Sequence, residues 1–354
     1  MCRCIKLLVT AALLVLPGFA SAADNATQLS LDRAIAIALE QNPEFKTSNL
    51  GIRGAEHRKK AAGADFLPKL GTSYTYARLN EPPRFKMPAG ELSAQDINVV
   101  AGTQNVYQWD LHLVQPLFTG GEIYNKYKLE KLGVDVAKLK NQTARNELVY
   151  NVKAAYFSIL KTRKLREVAL QAVEQIASHE KIARDFFEQE MIAKNDLLEA
   201  QVRLAQAQQD LVRAEQGVEL ARAVFNTVLH QDVNMAVDVA EMNDARQLSL
   251  ALAESQALAM QHQPVIREID TGIRQAQAAV QLAQGTYFPK VFLLSSYLRQ
   301  GNQADVRGSL YQDPEAWNMT VNLDWTFWEW GKKANVVGEQ KVKLLEAQEI
   351  KKEV

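Results

Sequence analysis

Leu197, Leu204, Leu211, Val218 and Phe225 recur every seven residues, and Ala200, Ala207, Ala214, Ala221 and Val228 repeat in the same register three positions later. Apolar a and d positions in successive heptads form a coiled-coil seam, and a period near 3.5 implies a left-handed supercoil. Alanine at nearly every second seam position lets helix axes come close. Gln201, Gln206, Gln208, Gln209 and Gln216 lie between the seam positions and make a polar, weakly charged surface. No proline falls between Pro116 and Pro264, and the only glycines between Glu122 and His230 are Gly133 and Gly217. Proline and mid-helix glycine are the residues that most reliably interrupt a helix. The stretch 122–230 therefore reads as a long antiparallel helical hairpin. Its ascending arm, from Glu122 to about Glu188, would measure roughly 100 Å at about 1.5 Å per residue. The pattern falters at Gln189, Glu190, Met191, Ile192, Ala193, Lys194, Asn195 and Asp196. A turn is predicted there, with Asp196 capping the returning helix and Glu199 three residues on.

Elsewhere the period is two. On Val106–Leu117 one side carries Tyr107, Trp109, Leu111 and Leu113, and the other Gln108, Asp110 and His112. Further on, Trp317, Met319, Val321, Leu323, Trp325 and Phe327 alternate with Asn318, Thr320, Asn322, Asp324 and Thr326. Such alternation over about ten residues, with aromatics at the ends, fits a transmembrane strand with one side to lipid and one to water. The same alternation also describes a half-buried strand of a soluble sandwich. The partner strands, about Leu70–Leu79 and Val291–Leu298, alternate less cleanly, and the pattern assigns them no faces.

The two alternating stretches belong to a repeat. Leu29–Pro43 reads as a short amphipathic helix stopped at Asn42-Pro43, and a second helix runs from about Glu44 to Asp65 before Phe66-Leu67-Pro68. At a constant shift of 221, Leu31 maps to Leu252, Ala38 to Ala259, Pro43 to Pro264 and Pro68 to Pro289. Beyond the first strand the shift falls to 210, with Gly121 landing on Gly331, because the first-half loop holding Pro82, Pro83 and Pro88 is longer. So long an ungapped register indicates internal duplication. The expected organisation is a signal segment over 1–22, a first repeat over 23–232 (strand hairpin about 70–118, helical hairpin 122–230) and an incomplete second repeat over 233–354 (strand hairpin about 290–328, then the start of a long helix).

The N-terminus changes the picture. Arg3 and Lys6 precede Leu7–Leu16, and Ala20-Ser21-Ala22 offers a small-residue cleavage site. This is the pattern of a secretory signal peptide. Cys2 and Cys4 are the only cysteines and lie within it, so the mature chain would carry no disulfide, thiolate nucleophile or cysteine-based metal site. With 41 basic and 41 acidic residues there is no electrostatic case for nucleic acid. His57, His112, His179, His230 and His262 share no metal-ligand spacing, and no phosphate-binding glycine loop is present, so neither metal, cofactor nor enzymatic chemistry is expected.

Four strands cannot close a barrel, and an open edge in lipid leaves backbone groups unsatisfied at several kcal/mol each. Other copies in a cyclic ring would have to complete it, two giving eight strands or three giving twelve. The fold class expected is therefore mainly α with transmembrane β: long antiparallel coiled-coil helices plus two β-hairpins giving four strands to an oligomeric barrel.

At this point the chain resembles the TolC-like outer-membrane efflux proteins. The resemblance rests on Leu31, Ala34, Ala38-Leu39 and Asn42-Pro43, on Phe66-Leu67-Pro68, and on Leu113–Gly121 leading into the long helix. It implies a homotrimer with a twelve-stranded barrel in outer-membrane lipid and an α-helical barrel in the periplasm. Such a duct receives cargo from an inner-membrane pump through a periplasmic adaptor (membrane fusion protein), in tripartite efflux or type I secretion. The turn Gln189–Asp196 would be the adaptor-docking tip. Gln108, Asp110, His112, Asn318, Asn322 and Asp324 would line the barrel lumen. Tyr107, Trp109, Leu111, Leu113, Trp317, Val321, Leu323 and Trp325 would face lipid. Two residues depart from the family pattern: Glu190 stands where glycine is frequent, and Trp330 replaces the first glycine of the pair seen at Gly120-Gly121. Val354 corresponds to Ala144 and the counterpart of Arg145–Asp232 would follow it, so a fragment or truncated form, lacking a second tip and unable to close a full helical barrel, is expected. A periplasmic coiled-coil adaptor or scaffold is the second reading. It would have a long helical hairpin but no duplicated strand hairpins.

Overall fold

A computed structural model describes residues 28–90, 95–242 and 250–353; the expected signal segment and both cysteines lie outside them. In chain order the elements are α1 (Leu31–Gln41), α2 (Pro43–Ala64), β1 (Lys69–Arg78), β2 (Arg84–Met87), β3 (Ile97–Val100), β4 (Asn105–Phe118), α3 (Glu122–Glu188), α4 (Lys194–Leu229), α5 (Leu252–His262), α6 (Pro264–Gly285), β5 (Lys290–Gly301), β6 (Glu315–Asp324) and α7 (Lys332–Glu353). Two compact units contain them. One holds the described residues up to Ala38 together with those from Asn151 to Met242, and the other holds Leu39–Tyr150 and the described residues from Leu250 onward.

The first unit is a helical hairpin with a clip at its base. On α4 every heptad position named above is buried or half-buried, with Val218, Ala221 and Phe225 fully so, while the intervening positions are largely exposed. Opposite them α3 buries Val152, Ala155, Tyr156 and Ile159, and the Tyr156 and Phe225 rings meet edge-on at 6.1 Å. The Tyr156 hydroxyl lies between the carbonyls of Leu29 (3.1 Å) and Ala240 (2.8 Å), where Leu29 and Val239 form a short parallel bridge. Arg163 donates to the Val239 carbonyl at 3.0 Å and pairs with Asp238. Two strand-like segments far apart in sequence are thus pinned to one face of α3. Asn226, fully buried, donates to the carbonyls of Val233 and Met235 and turns the chain after α4.

The second unit contains the duplication. Shifting α1 and α2 by 221 reproduces α5 and α6 residue for residue, and shifting the start of α3 by 210 gives the start of α7. Pro43 and Pro264 both occupy the first helical turn, where a missing amide hydrogen costs nothing. The Asn42 side chain caps α2 by accepting from Phe45 N at 2.9 Å, whereas Gln263 caps α6 without a side-chain bond. Four strands form one antiparallel sheet in the order β1-β4-β5-β6. The hairpin registers are also duplicated: Lys69↔Val114 becomes Lys290↔Asp324 when 221 is added to the first member and 210 to the second. The helices attached to these strands lie side by side in the same order. Arg58 on α2 pairs with Glu130 on α3, Lys140 on α3 with Glu268 on α6, and Lys351 on α7 with Asp270 on α6.

Two sequence expectations need correction. Alternation through Phe327 predicts a strand to about 328, but β6 stops at Asp324. The first-half loop, read only as a proline-bearing insertion, contains the short β2–β3 hairpin, Arg84–Met87 against Ile97–Val100. Strands of four residues are too short to leave a readable period.

Candidate functional site

Opposed residues of an antiparallel sheet project on the same side. The register therefore sorts all four strands, including the two whose own patterns were ambiguous. Gly71, His112, Ser296 and Asn318 form one row across the sheet, and Phe292 and Asn322 oppose each other on the same side. That side also carries Gln108, Asp110 and, at the end of β6 opposite Lys290, Asp324, so all six predicted lumen residues lie on one face of the sheet. The other side carries Leu70, Tyr74, Tyr76, Tyr107, Trp109, Leu111, Leu113, Val291, Leu293, Tyr297, Trp317, Met319, Val321 and Leu323. Much of it is bare: Leu70 is 71% exposed, Trp317 77% and Val321 63%. Trp325, predicted on this lipid side, instead follows the end of β6 and donates its indole N–H to the Tyr287 carbonyl at 3.1 Å.

β5 explains why its pattern was unreadable. It puts Phe292, Leu294 and Leu298 on the polar side and Ser295 and Arg299 on the apolar side. Sitting between β4 and β6, it is the most enclosed strand, with every position half-buried or buried.

On the polar side Asp110 is the hub. Its two oxygens take Ser296 Oγ and His112 Nδ1, the latter at 2.7 Å. His112 lies over Gly71, where any side chain would overlap its ring. Among the described residues no group of histidine, cysteine and carboxylates could hold a metal ion, and no helix is long and apolar enough to cross a membrane.

The sheet joins its helices through matched junctions. Gln115 donates to the Phe66 carbonyl at 3.0 Å, and its repeat equivalent Trp325 donates to the equivalent carbonyl of Tyr287. Gly120 and Gly121 have φ of 61° and 83°; Trp330 and Gly331 have 50° and 84°. The backbone conformation is thus kept although tryptophan has replaced glycine. Asp65 at the end of α2 accepts from Lys126 (2.8 Å) and pairs with Lys69 (3.1 Å). These two ammonium groups hold its carboxyl below the usual value near 3.8, with Lys126 the larger cause.

The predicted tip folds as a helix-ending motif. Glu190 has φ 58°, its N–H donates to the Phe187 carbonyl at 2.9 Å, and Met191 N–H donates to the Phe186 carbonyl at 2.8 Å. This is the paired pattern of a Schellman turn, with glutamate where glycine is usual. Gln189, Met191, Ile192 and Ala193 complete the connection, but Lys194, Asn195 and Asp196 already belong to α4. Asp196 is not the cap. Ala193 is, with no side-chain bond, because the chain leaves the turn extended there (φ −74°, ψ 153°) and enters the helix at once. Asp196 falls in the first turn, where a carboxylate still favours the positive helix end.

Comparison with known proteins follows the same architecture. The family model described as outer membrane efflux protein matches residues 34–227. Solved structures of similar fold include the Campylobacter jejuni CmeC outer membrane channel (TM-score 0.74, 16% identity, 91% of this chain and 67% of that one). They also include VceC from Vibrio cholerae (0.74, 13%, 91% and 74%) and the open state of the Neisseria gonorrhoeae MtrE outer membrane channel (0.70, 17%, 91% and 68%). The chain spans about two thirds to three quarters of each. No curated protein matches it. With more than half its residues inside the family model and its strand hairpins and long helices laid out as in those channels, the chain belongs to the outer membrane efflux protein family.

Proposed function

We propose that the chain is the outer-membrane duct of a tripartite efflux or type I secretion system, passively conducting cargo handed over by an inner-membrane pump and a periplasmic adaptor. The single observation that carries this is the sheet: four strands, one apolar face, one polar face and two open edges, β1 and β6. In lipid those edges must be paired, so copies of the chain close a ring. Eight strands would leave a barrel interior that side chains fill. Three copies and twelve strands suit a duct, and agree with the family resemblance. Gln108, Asp110, His112, Asn318, Asn322 and Asp324 then line the lumen, and Tyr107, Trp109, Leu111, Leu113, Trp317, Val321 and Leu323 face lipid. The Gln189–Asp196 segment is the tip that meets the adaptor, and no cofactor takes part.

The test is fractionation of a Gram-negative host expressing the chain. A duct stays with outer membranes through a high-salt wash and gives ohmic, weakly ion-selective conductance in planar lipid bilayers. Release by the wash would identify a periplasmic adaptor or scaffold instead.

A further inference from the structure

The duplication repeats one short motif that neither the helices nor the polar side of the sheet uses. Tyr76-Ala77-Arg78 ends β1, and a shift of 221 carries it onto Tyr297-Leu298-Arg299 near the end of β5. In both occurrences the tyrosine and the arginine project on the apolar side of the sheet, at the end away from the helices. The tyrosines are engaged alike. The Tyr76 hydroxyl donates to Asn105 Oδ1 at 3.2 Å and the Tyr297 hydroxyl to Glu315 Oε2 at 2.6 Å. Asn105 and Glu315 are themselves related by the shift of 210, and they stand opposite Arg78 and Arg299.

The arginines are left over. Among the described residues neither makes an ion pair or a hydrogen bond, and Arg299 Nε is closed off from water with no partner. Glu315 is taken by Tyr297 and does not pair with the arginine opposite it. On a side turned to lipid, an arginine is costly at the bilayer midplane and is accommodated where its head reaches the polar boundary. At about 3.3 Å per residue and a tilt near 40°, Arg78 stands roughly 20 Å beyond Leu70, toward the top of an apolar band about 25 Å tall. Tyr76 and Tyr297, with Trp109 opposite Arg299 and Trp317 opposite Tyr297, are the amphipathic rings that settle at that boundary. A guanidinium held there without a protein partner presents a planar fork that matches phosphate bidentately.

Resting on the reading of this sheet as a barrel wall, we propose that Arg78 and Arg299 form two repeat-related sites for phosphorylated lipid of the outer leaflet. Each guanidinium grips a headgroup phosphate, and the tyrosine two residues before it lies at the top of the acyl region. The two sites are unequal. Arg78 faces a neutral asparagine, whereas Glu315 beside Arg299 repels a phosphate, so the Arg78 site is the stronger.

Native mass spectrometry of the detergent-solubilised assembly, titrated with diphosphoryl lipid A, tests this. Two lipids per copy should bind above the background set by phosphatidylcholine. Arg78→Gln should remove the tighter site and weaken apparent affinity about tenfold, as expected for loss of a charge-assisted contact. Arg299→Gln should cost less, and the double variant should bind no more than background. Lys46→Gln with Lys60→Gln, both exposed on α2, removes the same charge and should change nothing. An equal loss in that control, or undiminished binding in the double arginine variant, would overturn the sites. Excess inorganic phosphate that displaces the lipid fully would assign the arginines to free anions and overturn the lipid as their ligand. Fractionation separates failure here from failure of the barrel reading. An unsubstituted chain that stays with outer membranes through the high-salt wash yet binds no phosphorylated lipid would sink the lipid sites alone, whereas its release by the wash would sink the barrel wall on which they rest.

Discussion

Gly120 and Gly285 cross backbone to backbone: a Cβ on Gly285 would stand 2.7 Å from the Gly120 carbonyl oxygen, and one on Gly120 would overlap the Gly285 carbonyl oxygen and come within 2.9 Å of Phe288 Cβ. This contact holds the loop entering α3 against the end of α6, the point at which one repeat is joined to the other. Gly285→Ala should cost about 1–3 kcal/mol as overpacking. Gly120→Ala should cost more, since its φ of 61° adds about 1–2 kcal/mol for a left-handed alanine. Gly51→Ala, inside α2 with nothing within 4 Å, should instead stabilise by roughly 0.5–1 kcal/mol. Urea unfolding of the three variants in detergent, followed by helix signal, checks the order.

The clip around Tyr156 predicts a polar, not a packing, loss. Tyr156→Phe keeps the ring against Phe225 and removes only the hydroxyl shared between the Leu29 and Ala240 carbonyls. The acceptors are half-buried and the Leu29 carbonyl keeps its bond from Ala240 N–H, so the loss should be that of an ordinary hydrogen bond, about 0.5–1.5 kcal/mol. Hydrogen exchange should show the loss at Leu29 and Ala240, whose amides share the small bridge, while exchange along α4 is unchanged.

At the tip, Glu190 holds a left-handed conformation that glycine adopts freely. Glu190→Gly should stabilise the helical hairpin by about 1 kcal/mol, and Glu190→Val should destabilise it, a β-branched residue being worst placed there. Thermal unfolding monitored at 222 nm distinguishes the two.

Lipid facing is tested by charge. Leu111→Arg or Val321→Arg should cost about 2–4 kcal/mol at the bilayer midplane, whereas Asn322→Arg on the polar side should cost much less. Heat-resistant trimer in detergent should fall for the first two and persist for the third. Equal behaviour of all three would overturn the assignment of faces, and loss confined to Asn322→Arg would reverse it.

Asp65 gives an acid-side dependence with a defined sign. Its carboxyl is held below its ordinary value by Lys126 and then Lys69, so it stabilises the fold above that value, and the contribution is lost as pH falls through the lowered one. Both lysines are more than half exposed, so the pair contributes no more than about 1 kcal/mol. Asp65→Asn should be less stable at neutral pH and indistinguishable from the parent near pH 2, as read from unfolding midpoints at the two values.

Much was legible in the chain itself because it depends on neighbours a few residues away. The heptads of α4, the proline-free length of α3, Pro43 and Pro264 at their helix starts and the alternation of β4 all report local periods set by one buried side. The repeat was legible too, since the same local preferences occur twice at fixed spacing, and the backbone of Gly120-Gly121 recurs at Trp330-Gly331. Tertiary structure decided what depends on partners distant in sequence. It assigned the faces of β1 and β5 by pairing them with strands of clear pattern, and set Ala193 rather than Asp196 at the start of α4. It brought Leu29 and Val239 together under Tyr156, a contact that no spacing announces. It also ended β6 at Asp324 although the alternation continues to Phe327. A period records which side of a strand prefers water, but a strand extends only as far as another backbone is present to take its hydrogen bonds.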